Sequence, residues 1–438
     1  MNKVKLLLEN SIGKLKAHKS LYWYSASSLI SSVVGMLGGL LIIAWVSPGD
    51  LGIWKSAQIL QSYVAMLQAG VIHGLNRELP FQIGRGGRGY EKLVSTTQSF
   101  AFLVAVLLSL AGVFSWFSSL CFKAKCALSA VFIVSAGGVF VNYLCVTYRA
   151  AQLFVKLAKI NLIVAGINLL TLLFVYYLKF FGIPLRVVVM IIAQVGLLYF
   201  FRPLRASLKF DMESFISLLK VGVPLYASGY IIQLAMTFPN TILLFKEGTK
   251  AVGLFAPAMV AFRLMMLLPR SIGQYVYTRM SFRLGQTKDP KALWAYAWKS
   301  SVYLLLISIP IIILVTYLAP YIVQRFYPKY VACVDAIFWM LLAGTLFGAQ
   351  MFANALRSLK AWKWVGIWTG IRAGLSFLLP YAGYKVFVGD SLVGVSVGYA
   401  SAGVVSFASG LFMAYLATHG ESAMLVIGKI LSVVSNKK

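Results

Sequence analysis

The side chains in this chain best placed to do chemistry are three arginines inside long apolar runs. Arg263 lies near the middle of the run 251–277, Arg270 two turns further along it, and Arg372 inside the run 363–386. A guanidinium stays charged, and burying one in hydrocarbon costs ~2.5–3.5 kcal/mol on insertion scales, so each is expected to face a cavity or a partner. At ~100° per residue, Arg263 and Arg270 differ by only about 20° around a helix. The run 51–77 carries a similar stripe. Lys55, Gln58, Ser62, Met66, Ala69, His73 and Asn76 fall within an arc of roughly 80° on one helix. Their counterparts 201 residues later are Ala256, Met259, Arg263, Leu267, Arg270, Gln274 and Tyr277. The candidate binding residues are therefore Lys55, Gln58, Ser62, His73, Asn76 and the adjoining Arg77, with Arg263, Arg270, Gln274 and Arg372. Packing between polar helices is the competing reading. For Arg372, a salt bridge or a carbonyl contact would serve as well.

Acids are scarce. None occurs between Glu91 and Asp211, and Asp335 alone falls inside an apolar run, where a capped or water-reached helix start competes with an ion-coupling role. No phosphate-cradling Gly-x-x-x-x-Gly-Lys-Ser/Thr is present, which argues against ATP hydrolysis by this chain. The three histidines, His18, His73 and His419, have no metal-ligand spacing. Among Cys121, Cys126, Cys145 and Cys333 there is no ligand framework; Cys121 and Cys126 are close enough to pair, but free thiols are expected. Neither an enzyme nor a cofactor site is expected. Gly84 to Gly89 reads as a flexible basic connection.

These residues must be positioned by membrane helices. Hydrophobic residues make up 60% of the 438 positions and charged residues 12%, which excludes an ordinary soluble domain. Apolar runs of spanning length recur near 21–46, 51–77, 94–118, 127–148, 157–178, 182–201, 215–241, 251–277, 293–318, 331–355, 363–386 and 392–416. They predict an all-α polytopic membrane protein of about twelve helices, because a lipid-exposed backbone must satisfy its own hydrogen bonds. The net charge of +29 collects in alternate connections, so both termini are expected in the cytoplasm and nucleic acid is not the expected partner. Residues 1–20 form a basic segment with Val4, Leu7, Leu8, Ile12 and Leu15 on one helical face, which suits either the anionic inner leaflet or a disordered tail. Gly35, Gly38, Gly39, Pro224, Pro239, Pro257 and Pro269 mark bends, either hinges or fixed kinks.

The chain also resembles itself. Leu51-Gly-Ile-Trp-Lys-Ser-Ala57 is echoed by Val252-Gly-Leu-Phe-Ala-Pro-Ala258, and the same ungapped offset aligns Ala26-Ser27 with Ala227-Ser228, Leu67 with Leu268 and Phe81 with Phe282. Two six-helix lobes follow, 21–201 and 215–418, joined by a cytoplasmic loop 202–214 and followed by a tail 419–438. Six is even, so the lobes run the same way and their pseudo-two-fold axis lies along the membrane normal.

With its basic tail before the first span, Gly49-Asp-Leu-Gly-Ile-Trp54 after it and Gly70-Val-Ile-His-Gly-Leu-Asn-Arg77, the sequence resembles the polysaccharide flippases of the multidrug/oligosaccharidyl-lipid/polysaccharide transporter superfamily. The resemblance implies a central cleft lined by the first, second, seventh and eighth spans. It implies alternating-access flipping of an undecaprenyl-pyrophosphate-linked oligosaccharide, such as an O-antigen repeat unit of lipopolysaccharide, to the periplasmic leaflet of a bacterial inner membrane. The expected partners are that substrate, membrane lipids, a polysaccharide polymerase and other assembly proteins. A basic cleft suits a pyrophosphate or acidic sugar. A multidrug antiporter of the same superfamily would favour cleft carboxylates. A peptidoglycan-precursor flippase would need two further helices, a membrane-embedded polysaccharide polymerase larger outer loops, and a scaffold would leave the arginines unexplained.

Overall fold

A computed structural model describes residue 23 and residues 26–84, 90–287 and 289–420, apart from the side chains at 84 and 225 and most of those in 270–287. The expected amphipathic segment 1–20, the core of the basic connection 84–89 and the tail from 421 lie outside the described residues. Everything regular among the described residues is helical. The chain forms two compact units, residues 1–230 and 231–438.

The first unit begins with α1 (Ala26–Trp45), α2 (Pro48–Val64), α3 (Val71–Gly84) and α4 (Tyr90–Phe114). It continues with α5 (Phe122–Ala150), α6 (Phe154–Leu170), α7 (Leu172–Leu178), α8 (Gly182–Phe200) and most of α9 (Met212–Ala235). The start of α2 follows the rules for helix initiation: Pro48 occupies a first-turn position where its missing N–H costs nothing, and Ser47 Oγ accepts from Asp50 N at 3.2 Å. Asp50 then meets Lys123 Nζ at 2.5 Å, joining the start of α2 to the start of α5. The core packs Val71, Leu75 and Leu79 of α3 against Ala101 and Val104 of α4, Tyr148 of α5 and Leu198 of α8.

The second unit holds α10 (Phe238–Glu247), α11 (Thr249–Leu254), α12 (Ala256–Thr287), α13 (Pro290–Phe326), α14 (Val334–Gly348), α15 (Phe352–Ser358), α16 (Trp362–Val386) and α17 (Ser391–His419). Its core joins Phe352 and Leu356 of α15 to Trp368 of α16, Met413 of α17, and Leu293 and Ala297 of α13. Small residues set the crossings, as in membrane helix pairs generally. A Cβ on Gly344 would stand 2.6 Å from Phe262 O, and one on Gly348 would stand 2.7 Å from Pro269 Cγ, so α14 lies directly on α12.

Eight described helical segments are long and apolar enough to cross a bilayer, nine if the bent α9 counts as one. They are also apolar outside. The most apolar 18 residues of α13 have a mean hydropathy of 2.6, yet only 17% of them are buried within the protein. In water such a surface would drive aggregation; in lipid it is the matched exterior. The chain is a multi-pass membrane protein.

Three expected spans, 51–77, 251–277 and 363–386, do not meet that standard. The third is a continuous helix, α16, whose 25 residues include Lys363, Arg372 and Lys385. In the second, the apolar stretch is only Ala256–Pro269. The first is broken: after α2 the chain passes through a 3₁₀ turn at Ala65–Gln68, and Ala69 and Gly70 take positive φ of 48° and 80°. The single-helix arc expected to carry Lys55 through Asn76 is thereby interrupted, and His73, Asn76 and Arg77 belong to α3. At the 201 offset, Gln68 corresponds to Pro269 (68 + 201 = 269), so both repeats weaken their second helix at one place. Pro224 lies where α9 bends by 48°, as expected, whereas Pro239 lies in the first turn of α10 and kinks nothing.

Candidate functional site

Gln350 sits in the short interruption between α14 and α15, where Ala349 leaves the helix and Met351 N turns back onto Ala349 O at 2.7 Å. The interruption frees a polar side chain inside the protein. Gln350 Oε1 accepts from Arg372 Nη1 of α16 at 2.6 Å, while Gln350 Nε2 donates to Ser406 Oγ of α17 at 3.3 Å. Trp368 Nε1, one turn before Arg372, donates to Ser406 O at 3.2 Å. Gln350, Arg372, Ser406 and Trp368 are all buried.

The Arg372 guanidinium also lies 4.6 Å from the centre of the Phe347 ring and 5.6 Å from that of Trp368. Such contacts are worth ~0.5–2 kcal/mol each and a hydrogen bond from a charged donor ~1.5–3 kcal/mol, enough to hold the charge inside the protein but not to neutralise it. Arg372 Nε is buried and makes no hydrogen bond. Of the two contacts expected as structural alternatives, a salt bridge and a backbone carbonyl, neither is recorded for Arg372 among the described residues; its partner is a side-chain amide.

This guanidinium borders a cavity of about 370 Å³ within the second unit. Arg357 of α15, Asn354, Gln350 and Tyr277 supply its other polar groups, and Met266, Pro269, Phe347 and Trp368 much of its apolar wall. Asn354 Nδ2 donates to Gly273 O at 3.1 Å, fixing α15 against α12. Among the described residues, two arginines and no carboxylate line the cavity. In a low-dielectric surround, that arrangement attracts an anion and repels a cation.

The expected residues are distributed as follows. Arg372 lines this cavity. Arg263, on α12, has an exposed side chain outside that lining, and the side chains of Arg270 and Gln274 lie outside the described residues. On α2, Lys55 Nζ donates to Gln58 Oε1 at 3.0 Å and Ser62 Oγ to Gln58 O at 3.3 Å, a chain of neighbours along one helix. On α3, Asn76 and Arg77 are exposed and the exposed His73 ring packs at 4.9 Å from Tyr226.

Two residues of this kind went unrecognised in the sequence. Arg357 reads there as part of an inner connection, yet it lines the cavity with Arg372. Arg186 reads as an outer-segment charge, yet it is buried in α8, donates to Asn168 Oδ1 and lies under Gly38, where a Cβ would stand 3.0 Å from its Nη2. Its position four residues inside the run 182–201 was the available signal. All four cysteines are free thiols.

No family model and no curated protein matches the sequence. Solved structures do match in fold. An inward-facing multidrug resistance MATE family transporter of the MOP superfamily superposes with a TM-score of 0.71 at 14% identity, covering 90% of this chain and 96% of that one. An outward-facing structure of such a transporter gives 0.63 at 16%, covering 92% and 96%. A MOP superfamily transporter from Pyrococcus furiosus, described by a reverse polarity of its binding pocket that suggests a different function, gives 0.61 at 16%, covering 92% and 96%. The chain thus shares the fold of these solved structures over nearly its full length.

Proposed function

We propose that this protein is a transporter that carries an anionic amphiphile, an undecaprenyl-pyrophosphate-linked oligosaccharide, from the cytoplasmic to the periplasmic leaflet of a bacterial inner membrane by alternating access. The observation that carries this reading is the cavity bordered by Arg357 and Arg372 without a carboxylate. A pyrophosphate offers several acceptor oxygens to guanidinium forks, and such charge-assisted bonds are about twice as strong as neutral ones. Amide groups of Gln350 and Asn354 at the same wall suit sugar hydroxyls. That solved structures of this fold include inward- and outward-facing forms supports alternating access here.

The nearest competing reading is a multidrug antiporter with the same fold. Cationic drugs and coupling protons call for carboxylates, and none is among the described residues that line the cavity of the second unit. A polysaccharide polymerase is the reading from another class.

The test is deletion of the gene in a strain with no second flippase, followed by the fate of labelled lipid-linked repeat units. Continued synthesis with the units held on the inner leaflet is expected. Units that reach the periplasm at the normal rate overturn the proposal, and units that cross but stay unpolymerised favour the polymerase.

A further inference from the structure

A second cavity, of about 590 Å³, lies within the first unit where α4, α5 and α8 meet. Its lining is almost wholly apolar, with Phe102, Val106, Leu110, Phe140, Val195 and Leu208 among its walls. Along α4 it runs from Gln98 to Val113, about 22 Å at ~1.5 Å per residue, against a leaflet hydrocarbon depth of ~15 Å. Phe102, Val106 and Leu110 are exposed, so the groove is open at the surface of α4.

One end is different. Gln98 Oε1 accepts from Tyr143 Oη at 3.2 Å, and beside it stands Tyr199 of α8. The Arg202 guanidinium carbon lies over the Tyr199 ring, 3.7 Å from its centre, and its Nη1 donates to Tyr199 O at 3.4 Å. Arg202 Nε is buried and makes no hydrogen bond. Asp211 N donates to Thr96 Oγ1 at 3.2 Å, which holds the connection 201–211 at this end of α4. That connection carries Arg202, Arg205 and Lys209, and its one acid, Asp211, is turned to Ser214 N at 2.8 Å. An apolar slot of chain length thus ends at Tyr199, against whose ring the Arg202 guanidinium rests, on a connection that also carries Arg205 and Lys209.

We propose that this groove is a resident site for an anionic glycerophospholipid, one acyl chain lying along α4 from Val113 toward Gln98 and the headgroup phosphate seated at Arg202. The apolar wall accounts for the chain, and the charge at one end only accounts for the headgroup. This site is separate from the Arg357–Arg372 cavity and does not depend on the transport reading.

The test uses the full-length protein in detergent, titrated with dioleoyl phosphatidylglycerol or dioleoyl phosphatidylcholine and read by native mass spectrometry. A roughly fivefold preference for the anionic lipid is expected, the effect of one basic residue near a membrane surface. Arg202→Gln should abolish the preference while leaving phosphatidylcholine binding intact. Val106→Trp and, separately, Ser109→Trp should each displace both lipids by filling the groove; both positions face outward, so neither adds an internal clash. Equal binding of the two lipids by the parent protein overturns the proposal. So does a preference that survives Arg202→Gln, or lipid binding unchanged in both tryptophan variants.

Discussion

Arg372 shows what a single residue can be asked to do. It holds the interruption at Gln350 against α16, and it presents charge to a cavity. The two roles separate on substitution. Arg372→Lys keeps the charge but loses the planar fork, and Arg372→Gln loses both. Transport normalised to membrane abundance should fall by about tenfold for Arg372→Gln, the loss of one charge-assisted bond, and less for Arg372→Lys. If both variants transport normally per molecule and only their abundance falls, the arginine is a structural tie. Arg357→Gln, at the same cavity, should lower transport without lowering abundance, since its side chain is only partly buried. At the start of α9, the Ser214 hydroxyl and N–H, with help from Lys92, hold the Asp211 carboxyl below the usual carboxylate range. That carboxylate therefore adds stability above its unfolded value near ~3.9, and the gain is lost as pH falls through the depressed folded value. Below pH ~4 the parent should lose thermal stability in detergent, and Asp211→Asn should flatten that part of the pH profile.

At the scale of elements, the interruption between α2 and α3 is held from outside its own sequence. A helix broken inside lipid must find partners for its freed carbonyls. Tyr226 Oη donates to Ala65 O at 2.6 Å, and Tyr230 Oη donates to Tyr63 O at 3.0 Å. The two tyrosines lie one turn apart on α9 with rings stacked at 5.3 Å. Replacing both with Phe removes the hydroxyls and keeps the rings, and should lower stability by about 0.5–1.5 kcal/mol per hydrogen bond lost, measured as a fall in the detergent melting temperature. Glycine makes the approach possible. A Cβ on Gly222 would stand 2.7 Å from Gly74 N, and one on Gly70 would stand 2.7 Å from Gly222 C, backbone against backbone with no flexible side chain to yield. Gly222→Ala should therefore reduce folded protein in the membrane, whereas Gly39→Ala, with nothing within 4 Å of its Cβ, should not.

At the scale of the whole molecule, the prediction is topological. The charge pattern assigns the connection bearing Arg202 to Lys209 to the cytoplasm and those near Lys123 and Lys246 to the periplasm. Within the first unit, Lys123 meets Asp50 at one end of α5, and Asp211 meets Thr96 near the start of α4. Reporter fusions after Lys209 should read cytoplasmic, and fusions at Lys123 and Lys246 periplasmic. A periplasmic signal at Lys209 overturns the expectation, drawn from the sequence repeat, of two lobes running the same way.

The sequence by itself determined the solvent and the class. An apolar run of spanning length has one stable conformation in lipid, so helix and membrane were readable from hydropathy, with eight or nine spans recovered near their expected positions. Arg372 was legible for a similar reason, because a charge inside such a run needs a compensating environment wherever the chain folds. Tertiary structure decided the rest. The break after α2 is held by tyrosines on α9, some 160 residues away, that donate to Tyr63 O and Ala65 O, and no local pattern records that. Arg357 joins Arg372 because the span continues past the interruption at Gln350 into α15, bringing to one cavity groups that hydropathy had assigned to a connection and to a span. Hydropathy is a sum over neighbours in sequence, whereas a binding cavity is an arrangement of neighbours in space.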